Sequence, residues 1–359
     1  MTFLIAAAGT GGHVYPGLAV GEALVDSGVR KDEVLFVGGD RLEATVYPEA
    51  GFPFLQTVLR GLSRSPSLDT LTLPAVIWKA RSTILEEIRR RGTRVALGLG
   101  GYVTVPTGMG CARARIPLML AEQNAGAGLA NRVASRWAQR TFVSFPNTKG
   151  LETGEWVGNP VRRPLATFDR EALRAEAHAR YSLDPSLPVL AVFGGSLGAG
   201  AVNEAVSSMA QSWTGSTFQI VHLTGRRHID DLTDLQASDH LSWRRIGFED
   251  RMDLFYAAAD LVVARSGGGV AELTATGSPS ILIPGDFGSS GHQEANAAFL
   301  ETSGAALVLG QADVGSLGSV VGDTLFDSAS LKRMREGALA ISRPDAADTI
   351  ASAMREAIS

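Results

Sequence analysis

The chain has 359 residues, long enough for two α/β domains that each bury a core. Hydrophobic residues make up 45% and charged residues 19%, an ordinary globular balance, and the single cysteine, Cys111, rules out an intramolecular disulfide and a cysteine-based zinc site. The net charge of −4 hides four excess positive charges over residues 1–159 and eight excess negative charges over residues 160–359. The acidic half argues against nucleic-acid binding, while the basic half suits an anionic surface.

The first element is an apolar run, Phe3 to Ala7, with no basic leader before it. No apolar stretch approaches the ~20 residues of a membrane span, so the expectation is a cytoplasmic chain that is not integral to a membrane. The run enters Gly9-Thr10-Gly11-Gly12-His13, followed by a predicted helix over 18–24. Further predicted strands cover 34–37, 95–98, 117–121 and 141–144. Gly158-Asn159-Pro160 has the chemistry of a hinge. A second apolar run, Val189 to Phe193, then enters Gly194-Gly195-Ser196-Leu197-Gly198, and a predicted helix over 202–209 follows. Strands over 219–222, 261–264 and 280–284 come next, and the stretch from Ala338 to Ile358 is rich in helix formers.

Short apolar runs bounded by glycine read as buried parallel strands, and strands alternating with helices predict doubly wound sheets. A strand, a glycine turn and a helix start form an anion site, because free N–H groups and the helix dipole converge there. This plan occurs twice. The expected fold is therefore α/β, two doubly wound Rossmann-like domains facing each other across a central cleft. Neither loop is a dinucleotide G-x-G-x-x-G or a P-loop.

These motifs resemble those of the MurG family of bacterial peptidoglycan glycosyltransferases. The resemblance runs nearly end to end. It rests on Gly9 to His13 with Pro16, Gly100-Gly-Tyr102 with Pro106, and Glu122 to Ala125 with Gly128 and Asn131. Gly158 to Arg162, Gly194 to Ala199, and Glu272 with Gln293 and Asn296 complete it. The chain departs from the family at Ala121, usually His, and at Leu197, usually Gln. Arg265 to Glu272 is one residue short, and Gly285 to His292 lacks the usual acidic residue.

The resemblance implies a GT-B type inverting transferase that moves GlcNAc from UDP-GlcNAc to lipid I, giving lipid II. It implies no metal and no cofactor. Its partners would be UDP-GlcNAc, lipid I and the cytoplasmic face of the cell membrane, bound peripherally, with no nucleic acid. The N-terminal domain, 1–160, would face acceptor and membrane, and the C-terminal domain, 161–339, would hold the UDP-sugar. The last helix, about 340–359, would pack back on the first domain. Other two-domain UDP-sugar enzymes, a soluble-acceptor transferase or an epimerase, and an inactive sugar-nucleotide binder are the alternatives.

His13 is the candidate base, since imidazole titrates in the range that proton removal from a sugar hydroxyl needs. On the acceptor side the candidates are Thr10, Gly11 and Gly12 at the diphosphate, with Tyr102, Asn124 and Asn131. On the donor side they are Arg162, Gly194, Gly195, Ser196, Gly198, Phe248, Glu272, His292, Gln293 and Asn296. Arg162 and the loop are assigned to the diphosphate, Glu272 to the ribose and Phe248 to the uracil. Leu71 to Trp78, with Lys79, Arg81 and Arg89-Arg90-Arg91, mixes apolar and basic residues as a membrane-surface segment does, and as a core-facing helix with a solvated basic end also does.

Overall fold

The structure is a computed structural model that describes residues 2–57, 59, 68–195, 198–232, 235–285 and 291–358. The chain divides into two compact units, Met1–Arg163 with Arg343–Ser359, and Pro164–Ser342.

In the first unit the strands are β1 Thr2–Ala6, β2 Val34–Gly38, β3 Phe54–Gln56, β4 Thr93–Gly98, β5 Leu118–Glu122, β6 Ala138–Val143 and β7 Glu155–Trp156. The helices between them are α1 Gly11–Asp26, α2 Glu43–Glu49, α3 Leu68–Arg91, α4 Thr104–Ala114 and α5 Leu129–Ala134. The second unit contains α7 Arg170–Tyr181, β8 Val189–Phe193, α8 Gly200–Ser212, β9 Phe218–Leu223 and α9 Ile229–Leu232, after the short α6 Arg163–Ala166. There follow β10 Leu241–Ile246, α10 Met252–Ala258, β11 Leu261–Ala264, α11 Val270–Ala275 and β12 Ser280–Leu282. It ends with α12 His292–Thr302, β13 Ala306–Val308, α13 Leu317–Leu325 and α14 Ser328–Ala340, and α15 Ala346–Glu356 returns to the first unit.

The first sheet runs β3-β2-β1-β4-β5-β6-β7 and the second β10-β9-β8-β11-β12-β13. Every paired strand is parallel, with Ile5 lying between Phe36 and Leu97, and Val192 between His222 and Val263. Strand order reverses at β1 in one sheet and at β8 in the other. These are the two strands that feed the glycine loops. In an open parallel sheet that reversal opens a crevice at the strands' carboxyl ends, where ligands bind. Both units are thus Rossmann-like.

Alternation along β1 fixes the first core. Phe3 and Ile5 face α1 and α15, packing with Phe36, Leu97, Met119, Ile350 and Met354. Leu4 and Ala6 face the opposite layer, with Ala80, Ile84 and Ile88 of α3 and Cys111 of α4. Burial pushes the Cys111 thiol up to about 12, so it is an inert core residue. The helix expected over 18–24 starts earlier, at Gly11, so the glycine loop is itself the first turn of α1. Strands β3, β7, β10 and β13 are elements the apolar pattern does not announce.

Helix α3 separates residues that the sequence groups together. Val76 and Ile77 pack on the core of the first unit, whereas Trp78 is 62% exposed. The side chain of Leu71 lies outside the described residues. Arg90 and Arg91 both bind Glu87, at 2.6 and 2.5 Å. Among the described residues no helix is long and apolar enough to cross a membrane.

Candidate functional site

In the first unit, Gly9 has φ +112°, which glycine adopts without steric cost, and it turns the chain from β1 into α1. Thr10 is the exposed N-cap residue, Gly11 and Gly12 open the helix, and His13 sits in its first turn. The His13 amide donates to the Thr10 carbonyl at 3.0 Å, and Nδ1 lies 3.3 Å from Thr10 Oγ1. When Nδ1–H donates to that hydroxyl, Nε2 is the free base nitrogen. Gly100, at φ +90°, lies against the ring: a Cβ there would stand 3.1 Å from Nε2.

Burial lowers the His13 pKa from its ordinary 6.5, while the charges of Glu122 and Glu43 raise it. Each of these carboxylates is buried and anchors a loop. Glu122, at the end of β5, accepts through Oε1 from the amides of Gln123 and Asn124 (3.0 and 3.1 Å) and from Asn124 Nδ2 (3.1 Å). Through Oε2 it accepts from Gly128 N (3.0 Å) and Asn131 Nδ2 (2.8 Å). Asn131 is fully buried, and its Nδ2 also reaches the Ala121 carbonyl at 3.1 Å. Asn124 and Asn131 are therefore fastened to Glu122. Tyr102 donates through its hydroxyl to Glu43 Oε1 at 3.0 Å, and burial beside that carboxylate raises its pKa.

In the second unit the glycines after β8 pack closely, the Gly198 amide donating to the Gly195 carbonyl at 2.9 Å. Gly195 and Gly198 have φ +97° and +77°, and a Cβ on Gly194 would stand 2.6 Å from that of Ala199. Ser196 and Leu197 lie outside the described residues, as do residues 286–290. Glu272 lies in the first turn of α11, and its Oε2 accepts from the Tyr256 hydroxyl at 2.8 Å. Tyr256 is completely buried in α10, so its ring fixes that carboxylate's direction. Phe248, just past β10, is 39% exposed and not part of the core, with the Arg226 guanidinium 4.5 Å from its ring centre.

Gln293 and Asn296 knit strand ends to α12. Gln293 Oε1 accepts from Gly285 N at 2.8 Å, its carbonyl accepts from Ser266 Oγ at 2.8 Å, and Asn296 Nδ2 donates to the Ser266 carbonyl at 2.9 Å. His292 is the first residue of that helix. The Arg265 guanidinium is spent on the carbonyls of Ile283 and Pro284, at 3.0 and 2.8 Å. Arg162 pairs with Glu22 of α1 at 3.3 Å, with 42% of its side chain exposed. Its neighbour Arg163 binds Asp26 and Asp348, tying α1 to α15.

The structure thus brings His13, Thr10, Tyr102, Asn124 and Asn131 together at the carboxyl end of the first sheet. It places Gly194, Gly198, Phe248, Glu272, Gln293 and Asn296 at the carboxyl ends of the second. The sequence reading missed Glu43, Tyr256, Arg226 and Ser266. Glu43 follows the Gly38-Gly39 strand end by four residues, its one visible mark.

Residues 3–143 match the glycosyltransferase family 28 N-terminal domain and residues 189–350 its C-terminal domain. A Burkholderia vietnamiensis protein named UDP-N-acetylglucosamine--N-acetylmuramyl-(pentapeptide) pyrophosphoryl-undecaprenol N-acetylglucosamine transferase is 39% identical, covering 98% of this chain and 94% of that one. A Salinibacter ruber protein of the same name is 38% identical over 97% and 94%. The crystal structure of Acinetobacter baumannii MurG superposes with a TM-score of 0.79 at 25% identity, covering 99% of each chain. A UDP-GlcNAc 2-epimerase from Neisseria meningitidis, at 13% identity and a TM-score of 0.69 over 99% and 100%, shares the fold alone. By these matches the chain belongs to the MurG family, within glycosyltransferase family 28.

Proposed function

We propose that the chain transfers GlcNAc from UDP-GlcNAc to lipid I with inversion, forming lipid II. The observation that carries this reading is 39% identity over nearly the full length to a transferase named for that reaction, joined to the placement of His13 and Glu272 at the carboxyl ends of the two sheets. The acceptor hydroxyl attacks the anomeric carbon, its proton passes to His13 Nε2, and the C1–O bond to UDP breaks. Thr10, Gly11 and Gly12 receive the acceptor diphosphate, with Tyr102, Asn124 and Asn131 beside it. The loop of Gly194, Gly195, Ser196 and Gly198 receives the donor diphosphate with Arg162. Phe248 walls the uracil, Glu272 takes the ribose, and His292, Gln293 and Asn296 meet the sugar. Incubation with UDP-GlcNAc and a lipid I analogue tests this reading by UDP release and product mass. Hydrolysis, epimerisation or no turnover would overturn it.

The donor side makes an ordered prediction. Glu272→Ala should weaken UDP-GlcNAc binding by about 1–3 kcal/mol, since a charged acceptor is lost from the ribose. Tyr256→Phe keeps the ring in the core and removes only the hydroxyl that aims Glu272, so it should cost about 0.5–1.5 kcal/mol. Calorimetry reads both. A greater loss for Tyr256→Phe would mean that the carboxylate does not touch the donor.

The membrane reading rests on Trp78, flanked by Lys79 and Arg81, and on the basic balance of residues 1–159. Arg89 lies eleven residues along the helix, about 16 Å away at 1.5 Å per residue. That is about three helical turns, so Arg89 returns to the face of α3 that carries Trp78. Sedimentation should show binding to anionic vesicles and little to neutral ones, at about 1 kcal/mol per basic residue near the surface. High salt and Trp78→Asp should each release part of the protein. Equal binding to both vesicle types would discard the electrostatic part, and unchanged binding of Trp78→Asp the apolar one.

A further inference from the structure

We propose that Glu43 is a positioning residue for the acceptor side, one buried carboxylate that locks the His13-bearing loop, the end of β2 and Tyr102 into a single frame. It rests on the reading of His13 as base. Glu43 is fully buried. Its Oε2 accepts from the amide of Gly9 at 3.2 Å, in the loop that leads into His13. Its Oε1 accepts from the amide of Gly39 at 2.9 Å and from the Tyr102 hydroxyl at 3.0 Å. Those donors come from three segments far apart in the chain, after β1, after β2 and before α4.

The surroundings are shaped for this side chain. A Cβ on Gly38 would fall 2.5 Å from Glu43 Cγ, and one on Gly39 would run into the Tyr102 hydroxyl. A buried carboxylate without donors would be costly, and here each donor is itself committed to it. The charged groups acting on His13 are Glu43 from α2 and Glu122 from β5, and both oppose the effect of burial. Glu43 thus holds the ring's loop in place, and its charge opposes the lowering of the imidazole pKa by burial.

Glu43→Gln keeps the shape and removes the charge, and its NH2 would meet an N–H or O–H where the carboxylate met only donors. We expect kcat to fall about 10–100-fold and the acceptor KM to rise, with the donor KM within about twofold of wild type. The His13 ring, followed by NMR and assigned with His13→Asn, should titrate about 0.5–1 pH unit lower than in wild type. A merely structural role would not move that midpoint. Glu43→Asp keeps the charge but shortens the reach, so it should lower kcat while the midpoint stays near wild type. It serves also if the glutamine variant does not fold. An unchanged midpoint in Glu43→Gln, or unchanged kcat and acceptor KM in both variants, would overturn the proposal. If wild type does not turn over lipid I, the functional reading fails and the titration still decides the role of Glu43.

Discussion

His13→Ala should lower kcat by about 10²–10⁴-fold and leave UDP-GlcNAc affinity within about twofold. The ring contributes no hydrophobic anchor: it sits in the first turn of α1, touching Thr10 and Gly100, while the α1 core residues Val14, Leu18 and Leu24 pack elsewhere. The fold should therefore survive its removal. The sign of the pH dependence follows from the same site. Burial is the dominant effect on His13 and lowers its pKa from 6.5. The base must be unprotonated, so activity rises as pH climbs through that pKa, and the acidic limb of kcat should lie below pH 6.5. In His13→Ala that limb should vanish along with most of the rate. Near-normal turnover in a folded variant would take His13 out of the mechanism. A matching loss of donor affinity would make it structural instead.

Parts of this architecture are legible in the sequence because burial on both faces of a parallel strand produces a continuous apolar run. Phe3 to Ala7 and Val189 to Phe193 are such runs, and the glycines that end them mark the turns at the two reversal points. Strand β10 escapes because Trp243 and Arg245 alternate with exposed residues on a sheet edge, and β3 and β7 because they are only three and two residues long. The division of α3 was readable in principle. Ala80, Ile84 and Ile88 recur every four residues as a buried stripe, Ile77 lies on it, and Trp78 is turned off it by about 100°.

The polar frame was far less legible. Asn124 and Asn131 stand out as polar residues past a buried strand, but nothing in their spacing shows that Nδ2 of each is spent on Glu122. Glu43 is hidden for a stronger reason. Two of its three partners are backbone amides, which every non-proline residue has, so their identity leaves no trace in the sequence. Tyr256 sits in the apolar run Leu254 to Ala258 and reads as core, which it is. Only its hydroxyl, 2.8 Å from Glu272, has another task.

Glu122→Ala should be the most damaging single change in the first unit, destabilising it by about 3–5 kcal/mol. Five donor bonds converge on this one carboxylate, and three come from the backbone amides of Gln123, Asn124 and Gly128, which cannot rotate away to find water. Asn131 has no exposure to solvent, so its Nδ2 would keep only the Ala121 carbonyl. Such a loss is a large share of the 5–15 kcal/mol typical of a domain's stability. Glu122→Gln should cost less. Its one carbonyl oxygen can serve the three donors at the Oε1 position, while its NH2 would oppose Gly128 N and Asn131 Nδ2. Because the chain has two units and need not unfold in one step, hydrogen exchange is the sharper measurement. Exchange at Gln123, Asn124 and Gly128 should speed up by roughly a hundredfold or more in Glu122→Ala, less in Glu122→Gln, and little in the second unit. Exchange unchanged at those three amides would mean that the loop holding Asn124 is fixed by Ser144, whose amide and hydroxyl both reach the Glu122 carbonyl, and not by the carboxylate.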